Sequence, residues 1–401
     1  MPPRSRAFVA FAALLVPSVA AACIWDYDTI KRERTRFPGT LELITGKFLR
    51  HSPEFYEWRV ADRTRRLAAD PANVALLDDL AVAYDKTGRH DLAIGTARRT
   101  ESLRPGRYET AANLGTFHFH AGQFGEGLPH IGRALAINPD AHFGRERVQK
   151  RLAEYVVARG KAGALPLADV AVRPPAAGHI AYGHDVTVKD TFADSLSPDT
   201  RGVLSPAESA AAVKGVLGMM AFGRHDAPVL LEALGACLTQ GVENRESDAK
   251  LLAARAYLKA SYGVPDGPAR AAYRGLALHA LSTQTATRSQ TEQVALAQVE
   301  EDFGRELAEG RDWYAALRER ELSWLRDGLD PEAEFDKLYA AEPQVAGMDV
   351  RDPMLPEDKL KLFLAAVAVS FALGTAATVV ALALLVRRYR HRRASEVAAA
   401  S

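Results

Sequence analysis

Along most of this chain apolar residues return every three or four positions, the period of a helix that buries one face. FYEWRVADRTRRLAAD, AAAVKGVLGMMAFG, APVLLEALGACLT, DAKLLAARAYLKASYG and ARAAYRGLALHALS all read this way, and short turns such as GRHD and GVPDGP join the later ones. SPAES at Ser205 carries an N-cap serine, a proline at the first helical position and Glu208 in the first turn. A longer helical stretch runs from Gln290 to Arg326, with Trp313, Tyr314 and Trp324 as packing aromatics, and LDPEAEFDKLYAAEP adds a short helix. The pattern predicts an all-α protein. It lapses over residues 161–205, where Pro, Gly and Asp replace helical periodicity, and this segment reads as an irregular linker.

Two runs depart in the other direction, towards unbroken hydrophobicity. Arg4 and Arg6 precede an apolar run from Ala7 to Ala22 that ends in small residues, which predicts a signal peptide over residues 1–22. Cleavage there leaves Cys23 first, a candidate for lipidation, although Ala20 stands where a lipobox has a larger aliphatic residue. Leu362 to Val386 is 25 residues without a charge, and ~20 suffice to cross a bilayer. One transmembrane helix is expected over residues 360–386. Arg387, Arg388, Arg390, Arg392 and Arg393 follow it, so the positive-inside rule puts tail 387–401 in the cytoplasm and the body on the exported, periplasmic side of the cytoplasmic membrane. Ser370, Gly374 and Thr378 form a small-residue stripe suited to self-association of that helix.

Pro71, Pro105 and Pro139 recur at a constant interval, the period of a helix-turn-helix repeat of 34 residues. Between them Leu77, Leu80, Ala81, Tyr84, Ala93 and Ala97 fall into register with Ala111, Leu114, Gly115, His118, Gly127, Ile131 and Ala134, and Gly88 matches Gly122. On these residues the chain resembles the tetratricopeptide repeat (TPR) family, most closely over 71–140. The resemblance implies a TPR solenoid over 71–160, preceded by an N-terminal region with a capping helix (23–70) and followed by a second helical region (206–356). Together with CIWDYDTIKRERTRFPGTLELITGKFLRHSPEFYEWR and VKGVLGMMAFGRHD, the chain resembles exported, membrane-anchored bacterial TPR proteins; that wider likeness supplies no catalytic residue.

His118 and His120, one residue apart, raise the question of a metal. On a helix successive residues turn by ~100°, so the two imidazoles point ~200° apart and do not share an ion. His118 takes a position where the family packs a large side chain. By resemblance the concave groove receives Asp78, Val82, Asp85, Lys86, Asn113, Thr116, Phe119, His120 and Arg147, and family members use that groove for extended peptides or helices. Asn113 and Arg147 match the subgroup that grips a terminal carboxylate, but Asp78 and Phe143 stand where lysines are needed, which argues against that ligand.

Composition then removes alternatives. Fifty-one basic against fifty acidic residues give no field that draws the chain to nucleic acid, and two cysteines build neither a disulfide framework nor a thiolate zinc site. Cys237 reads as a small buried apolar residue, and Met219 and Met220 as core. The sequence carries no Walker loop, GxGxxG, HExxH, GxSxG or paired CxxC. The expectation is therefore a membrane-anchored adaptor or scaffold that binds a polypeptide partner, with no cofactor and no catalytic residue. The alternative is an enzyme or metal-binding protein with its site after residue 160, where His179, His184, Asp185 and Asp190 cluster.

Overall fold

A computed structural model describes residues 24–29, 32, 36–139, 144–160, 165–173, 185–197, 204–240, 247–282 and 296–342. The expected signal peptide, Cys23, the membrane helix with Ser370, Gly374 and Thr378, and the basic tail lie outside the described residues, as do Phe143, His179 and His184. No helix among the described residues is long and apolar enough to cross a membrane.

The described residues form fourteen helices and one two-stranded sheet, an all-α architecture with a small β insertion. In chain order the first helices are α1 (Thr40–Thr45), α2 (Pro53–Ala69), α3 (Val74–Lys86), α4 (His90–Leu103), α5 (Tyr108–His120), α6 (Phe124–Ile137) and α7 (Arg145–Arg159). Local chemistry fixes the ends. Ser52 and Asn73 accept hydrogen bonds from Phe55 N and Leu76 N as N-caps of α2 and α3. Gly88 and Gly122 adopt φ of +77° and +75° in the turns after α3 and α5, a backbone that L side chains avoid. From α2 to α7 each helix packs on the next, in antiparallel order. Small residues let them approach: a Cβ on Gly115 would stand 2.5 Å from Ile131, and one on Gly127 2.5 Å from Phe119.

The described residues 165–173 and 185–197 hold more regular structure than their composition suggests. Strands β1 (Asp169–Arg173) and β2 (Asp185–Lys189) pair antiparallel, with Val170 opposite Val188 and Val172 opposite Val186, and the short helix α8 (Phe192–Leu196) follows. The expectation of an irregular linker is corrected here: alternating DVAVR and DVTVK make a hairpin because period-two alternation gives it one apolar face to lay on a neighbouring helix.

Helices α9 (Pro206–Phe222), α10 (Pro228–Gln240), α11 (Ser247–Tyr262) and α12 (Pro268–Ser282) continue the antiparallel packing, and the hairpin lies on α12. Ser205 and Glu208 complete a capping box at the start of α9. Helix α9 rests on α7, so the second helical region shares a core with the first: Leu114, Phe117, Leu152, Met219, Leu234 and Tyr257 belong to one buried cluster. Cys237 is fully buried in it. The long helix α13 (Leu296–Arg326) then returns across α11 to touch α1 and α2, and α14 (Pro331–Ala341) packs on α13. The row of hairpins is thus closed onto its own beginning.

Candidate functional site

The helix faces that the repeat pattern turns towards a groove are already in contact with the chain itself. Residues 24–29 lie against α3 and α5. Asn113 holds Trp25 at two points: its Oδ1 accepts from Trp25 N at 2.8 Å, and its Nδ2 donates to Trp25 O at 3.1 Å. Asp79 Oδ1 accepts from Tyr27 N at 3.0 Å, and the Trp25 ring meets Tyr108 edge-on with centroids 6.4 Å apart. An asparagine amide offers one acceptor and one donor side by side, the complement of a single residue's main chain in extended form. The hydrogen bonds of Asn113 and Asp79 read backbone, not side chain.

A buried charge network fastens the segment. Arg59, fully enclosed, donates from Nη1 to Asp26 (3.1 Å), from Nη2 to Asp28 (2.7 Å) and from Nε to Glu332 on α14 (2.8 Å), with its guanidinium 4.5 Å above the Phe55 ring. Arg63 joins Asp62, Asp79 and Glu332. His51 bridges Asp28 at 3.1 Å and Glu321 at 2.7 Å, and Glu321 also accepts from Ser52 N. Burial opposes ionisation of Asp28, yet Arg59 and His51 hold its carboxyl well below the usual range. Burial likewise opposes charge on His51, and Asp28 and Glu321 outweigh it, raising the imidazole pKa.

Beside this segment a cleft of about 340 Å³ stays open, between the C-terminal ends of α3 and α5, the turn after α9, residues 48–56 and α13. Asp85 sits at its wall between two imidazoles: Oδ1 accepts from His90 Nδ1 at 2.9 Å and Oδ2 from His120 Nδ1 at 2.7 Å. Burial would raise the Asp85 carboxyl; the His120 charge and the two imidazole hydrogen bonds overcome it and keep the group ionised far below its ordinary range. The hydrogen bond to Asp85 raises His90 in turn. Lys86 and Arg50 line the same cleft, where burial lowers them to about 8 and about 10, with the Arg32 charge adding to each effect. Burial and Arg50 push His225 down to about 3, so that ring is neutral. Asp85, His90 and His120 each offer one ligand atom within 4.8 Å of the others, a donor set that suits a divalent metal in number and kind.

The nine groove residues expected from the resemblance therefore separate into three groups, with Arg147 apart from them. Asn113 holds the cis segment, while Asp78, which burial raises to about 6, pairs with Arg107 at 2.9 Å. Val82, Thr116 and Phe119 are core: Val82 and Phe119 are fully enclosed, Phe119 stacks on Phe124, and Thr116 accepts from Gln149 at 3.0 Å. These three side chains face other parts of the chain and not solvent, with Gln149 of α7 meeting Thr116 and Phe124 of α6 meeting Phe119. Asp85, Lys86 and His120 line the open cleft, and Arg147 lies exposed on α7. His118 is placed as a packing residue, its ring stacked on His130 and bonded to Gln123, on a different side of α5 from His120. Repeat reasoning missed Arg59, Arg63, His51 and His90. FYEWRVADRTRRLAAD gives a capping helix but not the partners of its arginines, and only the acids of residues 26–28 hint at them.

Comparison with known proteins finds no matching family model, no matching curated protein and no matching solved structure.

Proposed function

We propose that this protein is a TPR-type interaction module, held by its C-terminal segment at the exported face of a bacterial membrane, whose groove recognises a polypeptide in extended form. The observation that supports it is the two-point grip of Asn113 on the main chain of Trp25, seconded by Asp79 on Tyr27 N. Recognition through backbone is the physics of peptide capture by a preformed groove. Residues 24–29 then act as a resident competitor. A tethered segment presents itself at an effective concentration of ~mM, so a partner gains the groove only by binding more tightly or by meeting a chain whose own segment has been released.

The test is crosslinking capture in the native membrane with three forms of the full chain. Trp25→Pro removes the N–H that Asn113 accepts and should raise the yield of captured polypeptide; adding Asn113→Ala should abolish the gain. An identical partner set in all three forms would reject the reading.

A further inference from the structure

The open cleft carries a charge imbalance that the peptide reading does not use. Arg50, Lys86 and Arg224 line it, with the carboxylates of Asp85 and Asp226. Both Asp85 oxygens are taken by His90 and His120, and Asp226 stands 3.7 Å from Arg224. Lys86 Nζ instead donates to the main-chain oxygens of Phe222 and Gly223. Arg50 donates to those of Gly46 and Phe48, with its guanidinium 3.5 Å from the Tyr314 ring centroid. Among the described residues neither Lys86 nor Arg50 comes within ion-pair distance of a carboxylate. The His120 side chain is 8% exposed, and its Nε2 is buried without a hydrogen-bond partner, while Nδ1 is fixed on Asp85. Cations set in a partly enclosed cleft without a carboxylate partner favour an acceptor of negative charge.

We infer that this cleft binds a small multivalent oxyanion of the phosphate type, held by Lys86, Arg50 and Arg224. Phe48, Tyr56 and Tyr314 give the walls low polarity, which strengthens each charge contact inside. The volume suits a pyrophosphate or a compact phosphate ester. Asp85, His90 and His120 satisfy the donor count for a divalent cation, but such an ion would have to displace the imidazole protons from Asp85 and settle beside two cations that no carboxylate pairs. The same fixed charges that repel a metal attract the oxyanion.

Calorimetric titration of the full chain in detergent with pyrophosphate, and separately with zinc ion, decides the matter. One pyrophosphate per chain is expected, weakened at least tenfold by Lys86→Gln and severalfold by Arg224→Ala. Arg224 is exposed, so that variant leaves folding intact, and the thermal unfolding of both is compared with the parent. A water-soluble short-chain phosphatidylglycerol, titrated alongside, separates the two sources of phosphate: tighter pyrophosphate assigns a free anion, tighter lipid a headgroup, and either supports the site. Absence of pyrophosphate and lipid binding, binding indifferent to both substitutions, or stoichiometric zinc binding lost with His120→Ala would overturn it.

Discussion

Arg59→Met removes the centre of the network that ties residues 24–29 to α2 and α14. The methionine fills much of the aliphatic volume but leaves Asp26, Asp28 and Glu332 without three charge-assisted hydrogen bonds of 2.7–3.1 Å, and Asp28 is 3% exposed. Removing one partner of a buried ion pair costs about 3–5 kcal/mol, because the remaining charge is stranded. Glu332 keeps Arg63, and Asp28 keeps His51, so the expected loss is ~3 kcal/mol, the lower end. In the parent chain Asp28 titrates below its unfolded value of ~3.9, so its contribution is present above that value and constant between pH 5 and 7. In Arg59→Met burial is opposed by His51 alone, the folded carboxyl moves up from its parent position, and the stranded charge costs more as pH rises through it. Urea unfolding of the full chain at pH 5 and pH 7 should therefore show a gap between parent and variant that narrows at the lower pH. Adding Asp28→Asn should recover part of the loss at pH 7. A cost below about 1 kcal/mol, or a gap independent of pH, would refute the view that this network is what fastens the segment.

Phe119→Ala should cost about 3–5 kcal/mol in the same unfolding assay, as a core truncation does; a near-neutral effect together with altered partner capture would return Phe119 to the groove. Gly115→Ala should destabilise by ~1–3 kcal/mol, since its Cβ meets Ile131 side-chain atoms at 2.5 Å and the Ile131 backbone nitrogen at 3.1 Å, whereas Gly95→Ala, in open space on α4, should stabilise by ~0.5–1 kcal/mol; equal effects on melting temperature would contradict the packing. Burial lifts Glu232 to about 7 against three donors, Leu167 N, Ala168 N and Tyr273 Oη. An acid raised on folding is least costly when protonated, so its contribution falls as pH climbs from about 4.5 to about 7, by up to ~3 kcal/mol at 1.36 kcal/mol per unit. Glu232→Gln should flatten that part of the stability profile, and an unchanged slope between pH 5 and 7 would exclude Glu232 as its source.

The helices were legible because their signals are local. Ser205 and Glu208 cap α9 as SPAES predicts, the spacing of Pro71, Pro105 and Pro139 marks the ends of antiparallel pairs, and Gly115 and Gly127 sit where helices cross at short range. The hairpin was legible too, in DVAVR and DVTVK, but prolines and glycines around it outweighed ten residues of alternation. What could not be read locally is the closure, in which α13 returns to α1 and α2 across more than two hundred residues of sequence, and Glu321 and Glu332 meet His51, Arg59 and Arg63. No periodicity encodes such a meeting. The arginines of α2 look like a solvated face until the acids that cover them arrive from both ends of the described chain.

That distinction explains why the groove residues divided as they did. A repeat pattern states which side chains share a face of α3 and α5, and Asp78, Val82, Asp85 and Asn113 do occupy neighbouring turns. It does not state what lies on the face. Near Asn113 the face is covered by residues 24–29, whose backbone supplies what a partner peptide would supply, and beside Thr116 and Phe119 it is covered by α6 and α7. At the C-terminal ends of α3 and α5 the turn after α9, residues 48–56 and α13 enclose the face without filling the cleft, and there Asp85 orders His90 and His120. The part of these helix faces that residues 24–29 leave uncovered is therefore the part that borders the cleft, where Asp85, Lys86, His90 and His120 meet.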